Sequence, residues 1–477
     1  MTITTNAVDE PAAEDHAGHL LWQGGDGSLI GRARVPEHRG PGRASRKIVP
    51  RSSLGAWNPA TRGHDALETI LAQNEIRAAD LLPIRHGRMS HSPWTYYRGA
   101  AAVMAADLAS TPNTGIVVQL CGDAHVLNFG LWNTPERNLA FDLRDFDETL
   151  PGPFEWDVKR FVASLVVLAR SNNVSKSDAR SAVSAAYRGY RERIGIYAHM
   201  PEIDVWYDRV DVGQLIEYTA QDDEDRLDAM IDKQARKRSS RGASKKLTNV
   251  VDGQRMISED PPFRTHALAG YAGLLDQIIR RYQSSVPDHV SSLLSRFDVV
   301  DAVRQVVGVG SVGMRVFLTL IEERRTADPL FLQIKQAGPS VYEQFLPASR
   351  YDNHGERVVH GQRMIQSATD SFVGWTTIDD MHFYVRQFRD GKVIPKGEVV
   401  ATRLPQFASA CGHVLARAHA RSGDAAAIAD YLGTSHKVED AFVEYAFAYA
   451  DQNDRDHAQL VKAIGDGDVE AVPGWPE

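Results

Sequence analysis

The sequence predicts an α+β fold from three observations. Apolar positions recur at helical spacing through DALETILAQNEIRAADLL, SPWTYYRGAAAVMAADLA and most of the chain to about residue 300. From 301 to 390 the period changes, and RQVVGVGSVG, MRVFLTLIE, PLFLQIKQA, FVGWTTI and HFYVRQF read as strands around one helix, NHGERVVHGQRMIQSATD. Helical spacing returns in LPQFASACGHVLARAHARSG and KVEDAFVEYAFAYADQNDRDHAQLVKAI.

These shifts divide the chain. Residues 1–50, rich in Gly, Pro, Arg and acidic side chains without a sustained period, predict a disordered or loosely draped arm. Residues 51–300 form a helical region that contains two short strand candidates. A small mixed sheet follows over 301–390, and helices over 391–477 complete the first region. Pro83 and Pro93 should break the early helices. After Pro153 a further helix is expected, with Val158, Phe161, Val162, Leu165 and Leu168 on its core face.

Composition narrows the function. A net charge of −8 gives no global basic field for nucleic acid or an anionic membrane. The longest apolar stretch, FVASLVVLA, is far short of the roughly 20 residues a spanning helix needs and reads as a core helix. The polar, acidic start lacks the pattern of a secretory signal, and two cysteines suit a reducing compartment, so the expected location is cytoplasmic.

The chemistry sits in two acidic loops, each leaving a strand candidate. After IVVQL at 116–120, Cys121-Gly-Asp-Ala-His-Val-Leu-Asn128 places Asp123 and Asn128 five residues apart. Phosphoryl transfer uses such a pair: a carboxylate takes the proton of the attacking hydroxyl, and a neutral amide oxygen helps hold magnesium. After LAFDL at 139–143 comes Asp145-Phe146-Asp147, with Asp145 seventeen residues beyond Asn128. Magnesium prefers hard oxygen ligands and keeps waters, so Asn128, Asp145 and substrate phosphates suffice. Asp157, twelve residues further, begins the apolar helix, where its carboxylate could accept main-chain amides of the first loop.

A glycine loop follows later in the chain. Gly308-Val-Gly310-Ser311-Val-Gly313 passes from strand to strand, unlike a dinucleotide fingerprint, which passes into a helix. Strand, glycine loop and strand is the kinase order, with small residues admitting phosphates to main-chain amides. Lys335, on the next strand, is then the phosphate clamp. By spacing, Glu356 is the glutamate to pair with it, and Glu343 is the nearer alternative.

GDAHVLNFG followed by FDLRDFDETLPGPFEWDVKRF resembles the HGDLHxxN and IDFxD signature of aminoglycoside and choline phosphotransferases. Together with YYRGAA, VVGVGSVG and FLQIKQAGPSVYE, it resembles the bacterial family called domain of unknown function 2252, over roughly residues 50–465. The resemblance implies a protein-kinase-like fold using ATP and Mg²⁺, with Asp123 as base, Asn128 and Asp145 as metal ligands, and His125 ordering the loop. It places adenine against the linker at Gln387 to Arg389. Because the catalytic loop precedes the glycine loop, the lobes are expected in circularly permuted order. Asp424 is rejected as an alternative base, since no asparagine follows it at five residues. Cys121 departs from the histidine that opens the family motif, so the support of that loop must differ.

The expected activity is phosphate transfer from ATP to an unidentified small acceptor. AMP transfer on the same fold and a nucleotide-binding pseudokinase are the alternatives. Two further stretches are candidate binding elements: the basic and aromatic cluster Arg85, His86, Arg88, Tyr97 and Arg98, and the basic run Lys233–Lys246, which reads first as a solvated loop.

Overall fold

The computed structural model describes residues 41–219, 231, 233–237, 239–266, 272–389 and 391–472. The arm expected over 1–50 lies outside the described residues as far as residue 40. Beyond that point it is helical: Pro41–Ile48 forms α1.

The early prolines start helices as well as ending the preceding ones. Pro83 lies in the first turn of Leu82–Ser90 (α2), and Pro93 opens Pro93–Gly99 (α3), where its missing N–H is no loss. Ala101–Ala109 (α4) leads to Val117–Leu120 (β1), the first of the two expected strands. Phe129–Asn133 (β2) and Leu139–Leu143 (β3) form a hairpin, and Leu150–Pro153 (β4) returns antiparallel to β1. Each acidic loop therefore leaves a paired strand, which fixes its starting point.

Phe154–Ser171 (α5) is buried along nearly its whole length, including all five residues expected to face the core. It is the central helix of the larger hydrophobic core. Lys176–Tyr197 (α6) packs beside it.

The region before 300 is not wholly helical. TNVVDGQRMI forms a hairpin, Thr248–Val251 with Gln254–Ile257, across an Asp252-Gly253 turn whose two residues have φ of 49° and 79°. An Asp-Gly pair after the β-branched run Thr248, Val250 and Val251 carries that signal. The basic run ends in the helix Ser240–Leu247 (α7), not a loop.

Ala272–Tyr282 (α8) precedes the main sheet. Phe297–Gln305 (β5), Val316–Glu323 (β6), Pro329–Ala337 (β7), Gly374–Ile378 (β8) and Met381–Gln387 (β9) pair in the order β8-β9-β7-β6-β5, with Arg264–Thr265 at the far edge. Every pairing is antiparallel, in place of the mixed sheet expected: β5 to β7 and β8 to β9 follow one another as antiparallel neighbours, and the chain passes from β7 to β8 through the helix His354–Ile365 (α9). The sheet buries both faces. Phe317, Ile321, Leu332 and Ile334 pack with α8 residues Leu275, Ile278 and Tyr282, while Leu318, Leu320 and Phe331 pack with Ala243 and Leu247 of α7.

Leu404–Ala420 (α10), Ala425–Leu432 (α11) and Lys437–Asp466 (α12) return to the larger core. Arg46 of α1 and Arg51 just beyond it donate to the Tyr431 and Leu432 carbonyls, both at 3.0 Å, tying this segment to the end of α11. Among the described residues, no helix is long and apolar enough to cross a membrane.

Candidate functional site

The first acidic loop is held from beneath by α5. Asp157, fully buried in its first turn, accepts the amides of Cys121 at 2.7 Å and Gly122 at 3.0 Å. Gly122 has φ of 84°, and a Cβ there would lie 2.3 Å from the Glu148 carbonyl oxygen, so the position requires glycine. His419 of α10 approaches the same carboxylate at 3.4 Å.

Asp123 faces Arg160, one turn along α5. Arg160 Nε and a terminal nitrogen donate to Asp123 Oδ1 at 2.9 and 2.7 Å, and the guanidinium stacks on the Tyr97 ring at 4.2 Å. Burial lifts the Asp123 carboxyl above its usual range against the pull of Arg160. His125 is buried edge-on to Trp94 and lies 3.9 Å from the other Asp123 oxygen; burial, with Arg98, Arg160 and Arg144 nearby, keeps it neutral. Asn128 donates to the Asp123 carbonyl at 2.6 Å, which leaves its amide oxygen to offer to the cleft.

The second loop meets the sheet. Lys335, nearly inaccessible to solvent, contacts Asp147 and lies 3.9 Å from Asp145 Oδ1. Asp147 also accepts the Tyr384 hydroxyl at 2.6 Å and lies 3.4 Å from Ser311 Oγ. Asp145 Oδ1 is buried without a hydrogen-bond partner. Burial would raise the Asp145 carboxyl, but Lys335, Arg386, Lys392 and Arg144 hold it well below the usual range.

Neither expected glutamate pairs with Lys335. Glu356 lies near the surface, 3.5 Å from His360, and Glu343 caps Ser340 and approaches Arg357 at 3.6 Å. Helix rotation decides this outcome: Arg357, one residue after Glu356, is the buried charged side chain of α9. It donates to the carbonyls of Thr149, Asp147 and Gly338 at 2.7, 2.8 and 2.9 Å. Tyr342 donates to the Gly122 carbonyl at 2.8 Å, and the Val341 amide donates to Glu148 at 2.8 Å, binding the segment after β7 to both acidic loops.

Gly308, Gly310, Ser311 and Gly313 form the turn between β5 and β6, with φ of 51° at Gly308 and 95° at Gly313. Arg88 donates to the Gly308 carbonyl at 2.7 Å, and Arg77 to those of Gly310, at 2.9 Å, and Val312. The basic cluster therefore divides. Arg88 grips the glycine turn, Tyr97 supports Arg160, and Arg98 lines the cleft, while Arg85 and His86 are buried on Gln73 and the Glu470 carbonyl.

Cys121 is buried and donates its thiol to the Asp145 carbonyl at 3.2 Å, linking the two loops; burial pushes its pKa far up, away from nucleophile chemistry. Asp424 caps α11, and His413 and His419 are core residues bonded to Tyr197, Tyr218 and Tyr190.

Asn128, Asp145, Gly308, Ser311 and Lys335 line one cavity of about 950 Å³, which Gln387, Phe388 and Arg389 also line. Sequence reasoning did not foresee Asp147, Arg160, Tyr384 and Arg386 in this setting. The alternation of Tyr384 and Arg386 on a strand was a readable signal. Among the described residues, no group of three or more His, Cys, Asp or Glu side chains is arranged to hold a metal ion, so any metal here would need ligands beyond carboxylate and imidazole.

A basic and acidic cleft between an antiparallel sheet and a helical region defines the class of site. The bacterial family described as an uncharacterized protein conserved in bacteria (DUF2252) matches residues 77–463, and the chain belongs to it. No curated protein and no solved structure matches the chain.

Proposed function

We propose that this chain is an ATP- and Mg²⁺-dependent transferase of protein-kinase-like architecture, with its lobes in permuted order, acting on a small-molecule acceptor. The observation that carries the reading is Lys335, on the third strand of the main run, meeting Asp145 and Asp147 across the cleft. A glycine turn between the first two strands, a lysine on the third, and a helix before the fourth follow the order of parts in protein kinases. Asp157 beneath the first acidic loop supports the same reading.

The donor set fits magnesium. Asp145 has an oxygen buried without a hydrogen-bond partner, and Asn128 keeps an amide oxygen. Held by Asp145 and Asn128, the ion would supply neutralisation of the negative charge on the phosphates. Asp123, with its raised proton affinity, takes the proton of the acceptor hydroxyl. Arg160 and Asn128 fix its orientation, and Lys335 holds the phosphates.

With adenine against Gln387–Arg389, this layout transfers the γ-phosphate; with the nucleotide reversed, it transfers AMP. The test common to both is Asp145→Ala. Mg²⁺-dependent ATP binding by calorimetry and nucleotide turnover are expected to vanish while the melting transition persists. Unchanged binding and turnover would remove Asp145 from the mechanism.

A further inference from the structure

The lining of the cleft distinguishes its two ends. Gln333 and Lys335 alternate along β7, and Arg386 and Tyr384 stand directly opposite them on β9, so all four side chains share the cleft face. Arg386 donates to Gln333 Oε1 at 3.1 and 3.0 Å. Past the strand, Arg389 lines the cavity, and Lys392 returns beside the bridge between Leu131 and Val393. Arg144 completes this wall from below.

The linker end, where a nucleobase would lie in the γ-phosphate orientation, is therefore built from Arg144, Arg386, Arg389, Lys392 and a glutamine amide. Arg and Lys outnumber Asp and Glu in the whole lining by seven to three. Asp370, the carboxylate beside the linker, accepts the amides of Phe372 at 2.9 Å and Gln387 at 2.6 Å. Phe388 packs back on Phe331 within the sheet. A base requires flat apolar faces with few polar edges; on the helical side the lining is apolar at Trp94, Leu127 and Leu168, while Phe388, Ile394 and Pro395 flank the cations of the linker. Burial and the charges of Arg386 and Arg144 push the Lys392 ammonium well below its ordinary value, a condition that an arriving anion relieves.

Resting on the nucleotide reading above, we infer that the linker end is an oligophosphate subsite. The β- and γ-phosphates lie against Arg386, Arg389 and Lys392, the base lies on the apolar side, and AMP is the group transferred. The acceptor hydroxyl gives its proton to Asp123, its oxygen bonds to the α-phosphorus, and the bond from that phosphorus to the β-phosphate oxygen breaks. Pyrophosphate leaves with the electron pair.

Calorimetry on the full chain with Mg²⁺, using sodium tripolyphosphate, adenosine and ATP as separate titrants, tests the inference. Tripolyphosphate should bind and compete with ATP. Arg386→Gln and Lys392→Gln, on different elements and each verified by its melting curve, should each weaken tripolyphosphate at least tenfold and leave adenosine unchanged. Any turnover of ATP should release pyrophosphate. Tripolyphosphate binding untouched by both substitutions, or release of ADP, overturns the reversed orientation while leaving the transferase reading intact. Failure of the unaltered chain to bind ATP overturns the transferase reading itself.

Discussion

Asp157 Oδ2 lies 2.7 Å from the amide nitrogen of Cys121, and the other oxygen of the same carboxylate takes the neighbouring Gly122 amide. A single fully buried side chain thus satisfies two main-chain donors at the point where strand becomes loop. Replacing it with alanine leaves both donors unpaired in the core. Asp157→Ala is expected to cost about 3 kcal/mol in urea unfolding, and Asp157→Asn, which keeps one acceptor oxygen, distinctly less. Equal and small losses in both variants would show that the loop finds other partners.

Lys335 neutralises two aspartates that β7 and the second loop bring together. Lys335→Met is expected to lower stability by about 3 kcal/mol, because it removes the cation nearest to both carboxylates and leaves only Arg386, Lys392 and Arg144 around Asp145. Millimolar MgCl₂ should raise the melting temperature of the variant more than that of the parent chain. Identical magnesium responses would argue against a cation site at Asp145.

Glu148 gives a pH signature. Burial, reinforced by Asp147 and Asp123, lifts its pKa from 4.5 to about 7 against the pull of Val341 and Arg357. The folded chain therefore holds this proton more tightly than the unfolded chain. The stabilisation is complete below about 4.5 and is lost as pH rises through 7. Glu148→Gln should remove that loss, gaining on the order of 1 kcal/mol over the parent at pH 8 relative to pH 5. Parallel urea midpoints for the two proteins across this range would contradict the assignment.

Both thiols should be silent in the native state. Cys121 and Cys411 are buried, and burial raises each pKa well above the ordinary thiol value. A disulfide reagent that reports free thiols is expected to react slowly with the native chain and to titrate both cysteines once denaturant is added. Rapid reaction of one equivalent in buffer would reopen a chemical role for Cys121.

Local patterns revealed Asp123, Asn128, Asp145 and Asp157, because their spacing is set within a strand, a loop and one helical turn. Lys335 was legible for the same reason, lying on a strand after a glycine turn. The partner of Lys335 was not legible, because the choice among Glu343, Glu356 and Asp147 depends on how α9 rotates about its axis. A step of one residue turns a helix by about 100°, and it is Arg357, not Glu356, that faces inward. The helix α1 was hidden by composition: its Gly, Pro and Arg content reads as a loose arm, whereas Arg46 and Arg51 fasten it to carbonyls nearly four hundred positions away. The hairpin at 248–257 did carry a local signal, Asp252-Gly253 after a β-branched run, that helical expectation overrode.

The short strap after β7 is stitched to the acidic loops by Tyr342 and Val341, and to Arg357 of α9 by the carbonyl of Gly338. The sheet is consequently tied to the helical region at two places, beside Lys335 by this strap and at the glycine turn by Arg77 and Arg88. With anchors on both sides of the cleft, Lys335 is kept in register with its aspartates by main-chain carbonyls and amides, not by the lysine side chain alone.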